Sequence, residues 1–127
     1  MKTILTLLML AWLLGNGCAS PEQRAQKRHD DLAAQFPPGK TTRGTVLQHF
    51  SYSEAEVSEF RPRAGWEKCR NPEVARLCTA RERALGKRIN RCERYSSGDL
   101  FTVGVIWFYY DLEDRLLDVE WQKAKSD

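Results

Sequence analysis

Hydrophobic and polar positions change rhythm several times along this chain. Residues 4–14 (ILTLLMLAWLL) form an apolar run of 11 residues with Thr6 as its one polar member. A helix needs roughly 20 residues to span a bilayer, so this run falls well short. Residues 21–36 are polar except at Ala25, Leu32, Ala33, Ala34 and Phe36, the pattern of a tether with a helical second half, and Pro37-Pro38-Gly39 ends it. Thr41 or Thr42 can then cap a short helix that buries Val46, Leu47 and Phe50. Ser53 and Glu56 have capping-box spacing, which predicts a further helical turn running to Phe60.

The clearest helix begins at Asn71. Asn71 suits an N-cap, Pro72 the first helical position, and Glu73 the positive end of the helix dipole. Val74, Leu77, Cys78, Arg81 and Leu85 share one face, and Gly86 stands where a left-handed C-cap belongs. Cys78 is therefore expected to point into the core.

From residue 89 the period switches to two. Residues 89–95, 100–110 and 115–122 predict a three-stranded antiparallel meander, with turns at 96–99 and 111–114. A tight turn on Ser97-Gly98 sets Tyr95 opposite Leu100 and Cys92 opposite Val103. A three-residue loop, 112–114, sets Leu117, Val119 and Trp121 opposite Tyr109, Trp107 and Val105. One face then gathers Cys92, Phe101, Val103, Val105, Trp107, Tyr109, Leu117, Val119 and Trp121, with the helix after Asn71 as its natural cover. The other face carries Leu100, Ile106, Phe108 and Tyr110, which a tether, an N-terminal helix or a partner must cover. The expected fold is α+β, two or three short helices on a three-stranded meander, as one domain over residues 39–127.

The N-terminus adds a location. Lys2, the short apolar run, Gly15-Asn16-Gly17 and Cys18-Ala19-Ser20 together describe a removed export signal. A cysteine directly after such a run resembles the bacterial lipoprotein signal, whose cysteine is lipidated and becomes the new N-terminus. That implies a signal peptide over 1–17, a lipid on Cys18 and a membrane-anchored polar tether over 18–38. Ala19 after the cysteine resembles the outer-membrane sorting signal. Cleavage after Ala19 without lipid stands as the alternative.

Charge is unevenly placed. The full chain carries a net +3, residues 61–94 hold 11 Lys/Arg against four Glu, and residues 95–127 hold three basic against seven acidic groups. Such asymmetry marks a partner surface, and outside the cytoplasm nucleic acid is not the partner expected. Arg81, Arg83, Lys87 and Arg88 are the candidates for meeting an envelope protein or anionic lipid. A solvated arginine-rich helix face is the plain alternative.

With Cys18 lipidated, Cys69, Cys78 and Cys92 remain in an oxidising compartment, so one disulfide and one thiol are expected. Cys78 and Cys92 are the expected pair, since both are predicted to face one interior; Cys69 with Cys78 competes. The cysteine gaps of nine and fourteen residues match no paired zinc-ligand pattern. His29 and His49 lack a nucleophile and carboxylate at catalytic spacing, and Asp111, Glu113 and Asp114 lack a calcium-binding loop. No cofactor and no enzymatic activity are expected.

Pro38, Gly39, Thr42 and Val46, followed by the run Trp107-Phe108-Tyr109-Tyr110-Asp111-Leu112-Glu113-Asp114-Arg115-Leu116, resemble the small outer-membrane lipoproteins of the SmpA/OmlA (BamE-like) class. The likeness implies helices packed on an antiparallel sheet and a non-catalytic role in envelope assembly or integrity, on the periplasmic face of the outer membrane. Residues 51–88, long and basic, depart from that class. A periplasmic inhibitor or immunity protein, blocking an enzyme with residues 53–69 through Arg61, Arg63 and Trp66, is the alternative expectation.

Overall fold

A computed structural model describes residues 20–98 and 103–123. Residues 1–17, Cys18, Leu100, Phe101 and the side chain of Val103, all used in the expectations above, lie outside the described residues. Helix α1 (Pro21–Gln35) starts at a complete capping box, in which the Ser20 hydroxyl accepts the Gln23 N–H and the Gln23 side chain accepts that of Ser20. The segment read as a tether is thus helical over nearly its whole length. Thr42 caps α2 (Arg43–His49) by accepting from the Thr45 N–H, and Val46 is buried. Asn71 caps α3 (Pro72–Leu85) by accepting from Glu73 and Val74, and Gly86 ends it with φ +65°. A single 3₁₀ turn, Trp66–Lys68, precedes α3.

The fold is α+β, but the sheet has four strands where three were expected. Strands β1 (Val57–Phe60), β2 (Arg91–Gly98), β3 (Val103–Tyr110) and β4 (Leu116–Lys123) lie in that order, each antiparallel to its neighbour. β1 replaces the helical turn predicted after Ser53. Its alternating Val57, Ser58, Glu59 and Phe60 pair with Arg94, Glu93, Cys92 and Arg91, and the ladder outweighs a local capping pattern.

Both predicted registers shift. Tyr95 faces Ile106 and Cys92 faces Tyr109, a slip of six residues from the expected pairing, because β2 and β3 are still paired at Gly98 and Val103. Six is even, so Cys92, Val105, Trp107 and Tyr109 keep the predicted face. Between β3 and β4 the slip is one residue: Val119 faces Phe108 and Trp121 faces Ile106. An odd slip turns side chains over, so Val119 and Trp121 lie on the opposite face from the one predicted.

The connecting turn shows why. The Asp111 carboxylate accepts the N–H groups of both Glu113 and Arg115 at 2.9 Å, and Asp114 takes the left-handed conformation at φ +58°. A bulge at Tyr109/Tyr110 then leaves Leu117 without a partner across the ladder, so Leu117 alone keeps its predicted side.

The sheet separates two cores. On one face α1 and α2 cover Tyr95, Ile106, Phe108, Tyr110, Leu116 and Val119, with Phe36, Val46, Leu32 and Phe50 supplied from the helices and the chain just after them. An N-terminal helix therefore covers the second apolar stripe. On the other face α3 and the 3₁₀ turn bring Trp66, Val74 and Cys78 onto Cys92, Trp107 and Tyr109. Each fully buried large side chain contributes about 1.5–3 kcal/mol, so both layers are needed to hold a chain of this size.

Candidate interaction surface

Part of the arginine excess is neutralised inside the molecule. Arg81 reaches from α3 to β4, donating to Asp118 at 2.9 Å and Glu120 at 2.5 Å, and lies over the Tyr109 ring. Burial works against its charge, but Glu120, Tyr109 and Asp118 more than offset that and hold its pKa above the ordinary value. Arg61 pairs with Glu82 at 3.0 Å, and Arg94 lies between Glu56 and Glu73. The basic and acidic blocks of the sequence therefore meet partly as α3 on β4. Of the four cations expected to form one surface, Arg81 is built into the fold.

Deepest of the pairs is Glu93 on β2, 2% exposed, which accepts from Arg43 Nε at 2.6 Å, Arg43 Nη2 at 3.1 Å and the Ser58 hydroxyl at 3.0 Å. Hydrogen bonding to Glu93, only partly opposed by burial, raises the Arg43 pKa. This clamp joins α2 to β1 and β2. Nothing in the local pattern around Arg43 or Glu93 signals it, because the partners stand 50 residues apart.

Three of the cations left over lie together at one end of the fold. Lys87 and Arg88 follow the α3 C-cap, Arg63 comes from the loop after β1, and all three are exposed with no carboxylate within salt-bridge distance among the described residues. Two adjoining clefts bring these segments together with the β3–β4 turn. One, about 390 Å³, is lined by Arg61, Pro62, Arg63, Arg88, Asp111 and Leu112 among others. Its neighbour, about 440 Å³, shares Arg88 and Asp111 and adds Lys87, Arg115 and Leu117. Leu112, at the turn, is 82% exposed. Arg83 stands apart, beside Arg76 and Glu67 on a separate surface cleft of about 400 Å³. Leu112, Arg115 and Asp111 were missed as surface partners of Lys87 and Arg88. A leucine at the centre of a polar turn was the one available signal.

The described cysteines lie in one core with free thiols: Cys78 and Cys92 are buried, and Cys69 is half-buried at its edge. A hydrogen bond with Cys78, together with burial, pushes the Cys92 thiol far above its ordinary pKa. Trp66, expected on an exposed loop, is 1% exposed and donates its indole N–H to the Ile89 carbonyl at 2.9 Å. No helix of the described residues is long and apolar enough to cross a membrane. These features define an α+β domain in which Arg81 is neutralised within the fold and Arg63, Lys87 and Arg88 make one cationic end. No family model, no curated protein and no solved structure matches the chain.

Proposed function

We propose that this chain is a non-enzymatic bacterial envelope lipoprotein, lipidated at Cys18 and held on the periplasmic face of the outer membrane. There it serves as an accessory or scaffold for envelope proteins. It acts by binding, through its cationic end. The observation that carries this reading is the grouping of Arg63, Lys87 and Arg88, without carboxylate partners among the described residues, around the exposed Leu112. Arg61, Arg81, Arg91 and Arg94 of the same stretch are held by the protein's own acids, while Lys68, Arg70, Arg76 and Arg83 are exposed elsewhere on the surface. The N-terminal pattern ending in Cys18 supports the location, as does the resemblance of the β3–β4 hairpin sequence to the SmpA/OmlA class.

In that compartment Cys78 and Cys92 form the disulfide and Cys69 stays a thiol, a pairing supported by the full burial of both in one core, with Cys69 only at its edge. The inhibitor reading loses support, because the tryptophan it would present is buried and Arg61 is paired to Glu82. Crosslinking in intact cells tests the binding role. Reversal of Lys87 and Arg88 to glutamate is expected to abolish the partner adduct while leaving Cys18 acylated. An adduct that survives reversal at physiological salt overturns the assignment of this end.

A further inference from the structure

α1 runs antiparallel to β4. Arg28, at the middle of the helix, lies over Trp121 near the end of β4, while Gly39, just past the helix, donates to the Leu116 carbonyl at its start. The α1 N-terminus and the Leu112 turn are therefore at opposite ends of the fold. Ser20 caps α1 only two residues after Cys18, so about 7 Å of chain separates them at most. The 15 residues of α1 then extend the axis by about 22 Å at 1.5 Å per residue.

That geometry decides what the cationic end can meet. The Debye length at physiological ionic strength is about 8 Å, so charges more than twice that distance from a bilayer feel little of its surface potential. Lying flat instead would press α1 against the head groups. The exposed face of α1 carries Glu22, Asp30 and Asp31 among its basic residues, and no large exposed apolar side chain. Neither anionic lipid nor hydrocarbon rewards that pose.

The clefts themselves favour one chemistry. Arg63, Lys87 and Arg88 ask for carboxylates, while Pro62, Leu112 and Leu117 offer apolar contact. Asp111, shared by both clefts, has one oxygen taken by the turn's own N–H groups and would repel a continuous polyanion. A peptide supplies N–H donors as well as acidic and apolar side chains.

We propose that the end carrying Arg63, Lys87, Arg88 and Leu112 points away from the anchoring membrane and docks an acidic, partly apolar segment of a partner protein. The direction of this surface rests on the lipidation of Cys18 proposed above; the chemistry of its occupant does not. Acylated protein, verified by intact mass, is reconstituted into phosphatidylethanolamine vesicles with a minority of phosphatidylglycerol and head-group spin-labelled lipid. A fluorescent amino acid at position 23 is expected to be quenched and one at position 113 not; equal quenching at both overturns the direction. A mature mass without acyl chains overturns the lipid reading and the direction together.

The occupant is tested separately by titrating the same protein in detergent with the peptide Glu-Glu-Leu-Glu-Glu-Leu or with inorganic polyphosphate. Peptide binding is expected to weaken about tenfold in the Lys87→Glu/Arg88→Glu variant and severalfold in Leu112→Ser. Failure of the peptide to bind, or tighter polyphosphate binding indifferent to Leu112→Ser, overturns the peptide assignment.

Discussion

Replacing Arg43 by methionine is expected to be among the most damaging single changes outside the apolar cores. The substitution keeps an unbranched apolar stem but removes the guanidinium fork that holds Glu93. Of the three hydrogen bonds received by the Glu93 carboxylate, only the one from the Ser58 hydroxyl remains. Breaking a buried ion pair by removing one partner costs about 3–5 kcal/mol, because the remaining charge is stranded in a poorly solvated site. Arg43 is 27% exposed, so water can follow it in, and about 3 kcal/mol is the expected loss.

Against a total stability of about 5–15 kcal/mol for such a domain, this is a large fraction. It corresponds to a fall in Tm of more than about 10 °C. Urea unfolding followed by tryptophan fluorescence measures it, since Trp66 and Trp107 are buried and report on the core. The double variant Arg43→Met/Glu93→Met removes the stranded charge and is expected to recover about 2 kcal/mol relative to Arg43→Met alone. A loss below about 1 kcal/mol for Arg43→Met, or a double variant no more stable than the single one, refutes the clamp.

Five further outcomes follow from the same contacts. Arg81→Met is expected to cost about 1–2 kcal/mol by leaving Asp118 and Glu120 unpaired, whereas Arg83→Met should stay within about 0.5 kcal/mol; equal urea midpoints for the two variants would contradict the placement of Arg81. Gly104→Ala forces a Cβ to within 2.5 Å of the Trp121 indole, and a loss of about 1–3 kcal/mol in thermal unfolding is expected, with no loss arguing against that packing. In oxidised protein a non-reduced digest should show Cys78 linked to Cys92, a bridge contributing about 3 kcal/mol over its 15-residue loop, and a Cys69–Cys78 peptide would refute the pairing. In reduced protein, alkylation of Cys92 should lag far behind that of Cys69, because hydrogen bonding and burial keep its thiol protonated. Burial raises the pKa values of Tyr95, Tyr109 and Tyr110 above those of the unfolded chain, so the unfolded state releases protons first as pH climbs past about 10; in oxidised protein, where Cys92 carries no thiol proton, the urea midpoint should fall above that pH, and native tyrosinate forming at pH 10 without loss of stability would refute this.

Helix α3 was legible to the residue, from the Asn71-Pro72 start to the Gly86 cap, because capping and amphipathic spacing are local and strong there. The central strand and its two apolar faces were equally plain, since a run rich in β-branched and aromatic residues has few other fates. Strand β1 was not legible. Four residues at a sheet edge carry little signal of their own, and their pairing with Arg91–Arg94 is decided by residues more than 30 positions away. The placement of Val119 and Trp121 failed for a related reason. A turn held by one aspartate and a single bulge changes the register by one, and one is enough to exchange the faces.

Charge divides along the same line. The excess of arginine over residues 61–94 and of acid beyond them is a property of the sequence alone. So is the short apolar run that precedes Cys18, on which the proposed export signal rests. Which cations are neutralised and which remain was decided only when α3 crossed β4, setting Arg81 on Asp118 and Glu120 while leaving Lys87 and Arg88 beyond the helix end beside Leu112. Composition counts charges, but a surface is made of the charges whose partners lie out of reach, and that reach is a distance in space that no linear spacing contains.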